Sequence, residues 1–317
     1  MKNLILVFLL VLLFPLLIFG CGVEEKTFIT IEADPDKGFH WAYYLFIPSM
    51  SVPENQGVYL LVSSSNTTGN DDLQVHDDGA YYDVSRGWKS KVARKLCVPL
   101  LVPVFPRPYS QWWIYTHALN RNTLMVDKGD LTRIDLQLIA MIRDAQEQLR
   151  DMGLNMEEKI LMNGFSACGT FSNRFAVLHP EIVKAVASGG VGSIPIFPTA
   201  EWEGEKLTYP VGIADIEEIA GITFDYDEYV KVAQYIYMGA LDDNDATYYD
   251  DSFSRQHANQ IWRLIGKEMD VRWEKSEQIY KELGIPAQFV TYEGIGHEIT
   301  EEIIEDIVDF FEESIND

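Results

Sequence analysis

Apolar and polar positions along the chain follow two periods in turn. Short runs of β-forming residues recur at 27–31, 40–47, Val58–Val62, 98–105, 159–164, 183–187, 233–238 and Ala287–Tyr292. These read as strands, and the continuous apolar runs at Val58–Val62, 98–105 and 159–164 read as strands buried on both faces. Between them the spacing lengthens to that of a helix. Residues 82–95 and 169–178 read as helices. A long amphipathic helix opens at Asp130, a residue type that caps helices, with Ile134, Leu138, Ile142, Ala145 and Leu149 on one face and Gly153 near its end. Residues 273–283 form another, stopped by Gly284. Thr300 opens the last helix, whose apolar face carries Ile303, Ile304, Ile307, Phe311 and Ile315. Strands alternating with helices predict an α/β protein with a mostly parallel central sheet flanked by helices on both faces. Residues 190–227 lack clear periodicity and are rich in Pro, Gly and aromatics. They lie between two strands, where a lid-like insertion would sit, and no second domain is evident.

The first twenty residues stand apart. Lys2 supplies a positive start, and residues 4–19 are an unbroken apolar run that ends in Ile18-Phe19-Gly20-Cys21. This is the layout of a secretory signal peptide, too short for a spanning helix. Its end resembles the bacterial lipobox, which implies a lipid on Cys21, a membrane as partner and an extracytoplasmic location. Residues 21–317 then form one domain.

A formal net charge of −24 over 317 residues sets the chain against nucleic-acid binding, because such a surface repels phosphate backbones. Beyond Cys21 the cysteines are Cys97 and Cys168, too few for a structural zinc cluster. Both fall in apolar or tightly packed contexts, which favours two buried free thiols over a disulfide.

The chemistry concentrates at strand ends. Gly164-Phe165-Ser166-Ala167-Cys168-Gly169 sits between a strand and a helix. A serine hydroxyl is a weak nucleophile until a sharp turn exposes it beside a base. The motif departs from G-x-S-x-G, since Cys168 takes the last position and the glycine comes one residue later. The base is expected at His297, in a glycine-flexed loop after the last strand; His117 is the competing histidine. For the acid that orients the imidazole, Asp242 follows the 233–238 strand, with Asp245 as the alternative. The calcium-loop spacing is absent from this acidic run, so no metal is expected there. Tyr109, Trp112, Trp113 and Tyr115 crowd the loop after the 98–105 strand, where they either line a substrate face or pack the loop down.

Ser166 through Arg174-Phe175 and His179-Pro180-Glu181, with the 239–245 segment and the 294–297 loop, resembles the α/β-hydrolase-fold serine esterases. The chain is most similar to their dienelactone-hydrolase and polyhydroxybutyrate-depolymerase-like branch, over residues 40–315. The resemblance implies ester hydrolysis through an acyl-enzyme by Ser166, Asp242 and His297, with no cofactor. It also implies an oxyanion hole from the Ala167 N–H and a donor near Ser65 or Asn66. The substrate would be a small or polymeric ester. A peptidase, a transacylase or a silent surface-anchored binding protein on the same fold are the alternatives.

Overall fold

The computed structural model describes residues 21–23, 27–52 and 56–316; the leader therefore lies outside the described residues. Strand β1 (Thr27–Ile31) pairs antiparallel with β2 (Tyr43–Ile47). Next come β3 (Val58–Val62), helices α1 (Leu73–Ser85) and α2 (Trp88–Leu96), and β4 (Leu100–Pro103). A long helix, α3 (Ile134–Asp151), leads to β5 (Met156–Phe165), α4 (Ala167–Leu178) and β6 (Val183–Gly189). The chain continues through β7 (Ala233–Gly239), α5 (Arg255–Leu264), α6 (Met269–Glu282), β8 (Ala287–Tyr292) and α7 (Glu301–Asn316). The eight strands form one sheet in the order β8-β7-β6-β5-β3-β4-β2-β1. Every pairing from β4 to β8 is parallel, and β2 joins β4 antiparallel.

The period of two along each strand divides the core. Leu60, Val62, Leu101, Ile160 and Met162 face a layer built with α3, α4 and α6. Their neighbours Leu61, Leu100, Val102 and Leu161 face α1, α2 and α7. This is why the central strands read as continuous apolar runs: both faces are covered.

Three expectations needed correction. The helix read over 82–95 is two helices, α1 and α2, broken at Arg86-Gly87, where a Cβ on Gly87 would meet Asp83 Cα at 3.0 Å. Asp130 does not cap α3. Residues 130–133 are turn, and the helix begins at Ile134 after Arg133 in a left-handed conformation (φ 48°). Cys97 is exposed at the left-handed end of α2 (φ 53°), whereas Cys168 is buried; both are free thiols.

The 190–227 segment does lie between β6 and β7, but it is packed in. Val191, Ile194, Phe197, Leu207 and Tyr209 are buried in the same layer as α4 and α6.

Candidate active site

Ser166 occupies the junction of β5 and α4 with φ 63° and ψ −130°, a region that residues with a Cβ rarely enter. Its N–H donates to Gly189 O at 2.9 Å, and its carbonyl accepts from Thr170 N–H at 2.9 Å. The junction tolerates no bulk at two places. A Cβ on Gly164 would lie 2.1 Å from Cys168 O, and one on Gly169 would lie 2.2 Å from Gly189 O. The close approach thus falls at 164 and 169, which explains how Cys168 stands where a glycine was expected. Its Sγ folds back onto the strand end, donating to Phe165 O at 3.0 Å. Burial raises the Cys168 thiol pKa, so it stays protonated and unreactive.

The second cluster assembles from the ends of β7 and β8. His297 Nδ1 lies 2.8 Å from Asp242 Oδ2, and Asp242 is buried with its Oδ1 accepting from Asn244 N–H at 2.9 Å. Leu241 N–H donates to Ile295 O at 2.8 Å, tying the two loops together. Gly239 makes that approach feasible, since a Cβ there would fall 2.2 Å from Ile295 O. With the proton on Nδ1 facing the carboxylate, Nε2 is left as an acceptor, and Asn244 Nδ2 donates to it at 3.0 Å. Among the described residues, no hydrogen bond joins Ser166 Oγ to His297.

The two clusters meet at Gly190. A Cβ on this residue would come within 2.8 Å of Phe165 Cε2 and 3.0 Å of His297 Cε1. The Phe165 ring packs against the imidazole at 4.6 Å with the planes tilted by 37°, and Phe165 immediately precedes Ser166. Beside this junction lies a cavity of about 200 Å³ whose wall includes Ser166, Ala167, Val191, Asn244, Arg107 and Arg174. Ala167 opens α4, so its N–H has no partner within the helix.

Other sequence expectations fall elsewhere. Asp245 does not reach His297: its Oδ1 caps the next turn, accepting from Thr247 N–H and Oγ1 at 2.9 and 2.7 Å. Ser65 is buried with its Oγ 3.4 Å from Asp83 Oδ2, Asn66 is exposed, and neither joins the cavity wall. Tyr109, Trp112 and Trp113 are exposed and also off the wall; the two indoles pack edge to face at 6.1 Å. Tyr115 does line the cavity, beneath the Arg107 guanidinium at 3.7 Å.

His117 is fully buried, with Nδ1 accepting from Thr67 N–H at 3.2 Å and Nε2 donating to Phe105 O at 2.8 Å. Burial pulls its pKa down to about 3, as befits a neutral brace rather than a proton carrier.

Sequence reasoning missed Asn244 and Arg174. Asn244 sits in a run of acids that drew attention to carboxylates. Arg174 sits in Phe171-Ser172-Asn173-Arg174-Phe175, and an arginine buried within such an apolar helix is itself an anomaly that the sequence displays.

A mostly parallel sheet carrying a strained serine after its fifth strand, an acid after the seventh and a histidine after the eighth defines the α/β-hydrolase fold. Comparison with solved structures agrees. A poly(aspartic acid) hydrolase-1 from Sphingomonas sp. KT-1 superposes with a TM-score of 0.55 at 13 % identity, covering 92 % of this chain and 97 % of that one. A poly(3-hydroxybutyrate) depolymerase from Bordetella parapertussis gives 0.54 at 16 % identity, covering 90 % and 89 %. An S-formylglutathione hydrolase from Agrobacterium tumefaciens gives 0.51 at 12 % identity, covering 92 % and 94 %. No protein-family model matches the sequence, and no curated protein sequence matches it.

Proposed function

We propose that the chain is a serine esterase, with Ser166 as nucleophile, His297 as general base and Asp242 as the group that orients the imidazole. The carrying observation is the 2.8 Å contact of His297 Nδ1 with Asp242 Oδ2, set against the same strand ends as the strained Ser166. The carboxylate fixes the tautomer that leaves Nε2 free to accept the serine proton. In the reaction Ser166 Oγ attacks the ester carbonyl and its proton passes to Nε2. The alcohol then departs with that proton, and water, activated by the same nitrogen, releases the acid from the acyl-enzyme. The Ala167 N–H, at the positive end of α4, donates to the oxyanion. Asn244 holds Nε2 in the resting structure and must move aside before Ser166 Oγ engages. Catalytic hydrogen bonds often tighten only once substrate is bound.

Three solved relatives named as hydrolases or depolymerases share the fold, which supports hydrolysis in general. The leader pattern ending at Cys21 supports export and a lipid anchor. The rival reading, a silent binding protein, draws on the Asn244 contact.

A panel of 4-nitrophenyl esters of graded acyl length decides between them. Wild type is expected to turn over at least one member, with kcat lowered on the order of 10⁴-fold or more in Ser166→Ala and His297→Ala. Turnover that survives Ser166→Ala would overturn the assignment.

A further inference from the structure

Arg174 is a charge without a counter-charge among the described residues. It lies on α4, eight residues beyond Ser166, and is 2 % exposed. Nη1 donates to Ala118 O at 2.7 Å. The guanidinium packs over Phe253 at 5.3 Å and Tyr209 at 6.0 Å. Among the described residues, no carboxylate forms an ion pair with it. The neighbouring cations are matched: Arg107 with Asp251 at 2.9 Å, and Arg121 with Asp215 at 2.6 Å. Arg107, Asp251 and Arg174 all contribute to the cavity wall. The wall therefore carries one unbalanced positive charge inside a chain of formal net charge −24.

Burying a cation without a partner is costly, and a methionine would fill the same space between two aromatic rings at no such cost. Burial pulls the Arg174 pKa down, but only to about 10, so the charge persists at neutral pH. A guanidinium offers five donors in a planar fork suited to a carboxylate, and one carbonyl does not occupy them. The arrangement fits a site whose counter-ion arrives with the ligand.

We propose that the cavity selects esters whose acyl part ends in a carboxylate, held by Arg174 while the ester carbonyl lies at Ser166. The inference rests on the esterase reading. The acyl side is indicated because the leaving oxygen must meet His297, which is not part of the cavity wall. Arg174 Cα lies about 10 Å beyond the start of α4 by helix rise, and helical side chains lean back toward the N-terminus. A spacer of roughly four to six bonds then joins carbonyl to carboxylate, the length of a short dicarboxylic monoester.

Two measurements test this. In turnover, mono-4-nitrophenyl adipate is compared with neutral 4-nitrophenyl heptanoate, using wild type, Arg174→Met and Arg174→Lys. The wild-type kcat/KM ratio is expected to favour the adipate by roughly 10- to 100-fold, the range of a charge-assisted hydrogen bond. The ratio should fall to about unity in Arg174→Met and lie between in Arg174→Lys. In binding, Ser166→Ala protein is titrated calorimetrically with monoethyl adipate and with ethyl heptanoate, and should prefer the former.

Equal ratios with turnover that needs Ser166 would refute the anion site and leave the esterase reading standing. Absent turnover of either ester would count against that reading, and the calorimetric preference would then decide the anion site alone. Should Arg174→Met fail to fold, the wild-type ratio and the calorimetric preference still decide, since neither needs that variant.

Discussion

Ser166 holds its side chain out at the cost of its own backbone. At φ 63° and ψ −130° a Cβ is strained, by about 1–3 kcal/mol for such regions, and only glycine is at ease there. That strain can be isolated by comparing two inactive variants, Ser166→Ala, which keeps the Cβ, and Ser166→Gly, which removes it. Ser166→Gly is expected to melt higher, by roughly 1–2 °C for each kcal/mol of net stabilisation in a chain of this length, as read by calorimetry. A lower melting point for the glycine variant would mean that the strain relieved is smaller than the roughly 0.4–1 kcal/mol that glycine's freedom in the unfolded chain costs, and would contradict the strain given above. At this scale the placement of the proposed triad was legible where residue type and strand-end position coincided: Ser166, Asp242 and His297 each follow a strand whose end was readable. The places of Asn244 and Arg174 in the cavity wall were not legible, because they depend on which atoms the fold turns toward them.

Elements rather than single residues decide how the loops around the cavity are held. Two buried histidines tie the loop after β3 to the loop after β4. His117 links Thr67 N–H to Phe105 O, and His76 Nδ1 contacts Thr67 Oγ1 at 2.5 Å while its Nε2 accepts from Arg107 N–H at 3.2 Å. The pH dependence follows from burial. The folded-state pKa of His117 lies near 3, below its ordinary 6.5. Between those values the unfolded chain takes up a proton that the folded chain refuses, so its stabilisation is complete above 6.5 and fades as pH falls.

Urea unfolding from pH 7 to 4 should therefore show a shallower stability slope in His117→Gln than in wild type. The difference should approach about 1.4 kcal/mol per pH unit for one proton. Identical slopes would contradict the neutral-brace account.

Element boundaries show what sequence patterns carry. The strands Thr27–Ile31, Val58–Val62 and Ala287–Tyr292 were readable to the residue, because β-formers end abruptly at polar or glycine positions. The start of α3 was misread because Asp130 has the chemistry of a cap, yet its carbonyl accepts from Trp41 Nε1 and Gln137 Nε2 while the chain is still turning. The division of α1 from α2 rests on close contact at Gly87, which no periodicity reports.

Across the whole molecule, the sheet brings residues 166, 242 and 297 to one edge. The parallel strands β5, β7 and β8 all end there, and the glycines at 164, 169, 190 and 239 let the loops close over each other. The charge distribution has the same logic. A chain of formal net charge −24 surrounds a cavity with the buried Arg174 in its wall, and the proposed anionic acyl group would meet that cation beside Ser166.

The central claim is that this edge activates Ser166 in particular among the serines of the chain. Treatment with a fluorophosphonate, followed by peptide mass spectrometry, tests it most directly. The account predicts a single adduct on the Ser166 peptide, absent in Ser166→Ala and strongly slowed in His297→Ala. An unlabelled Ser166 in folded wild-type protein, or equal labelling after His297→Ala, would contradict it.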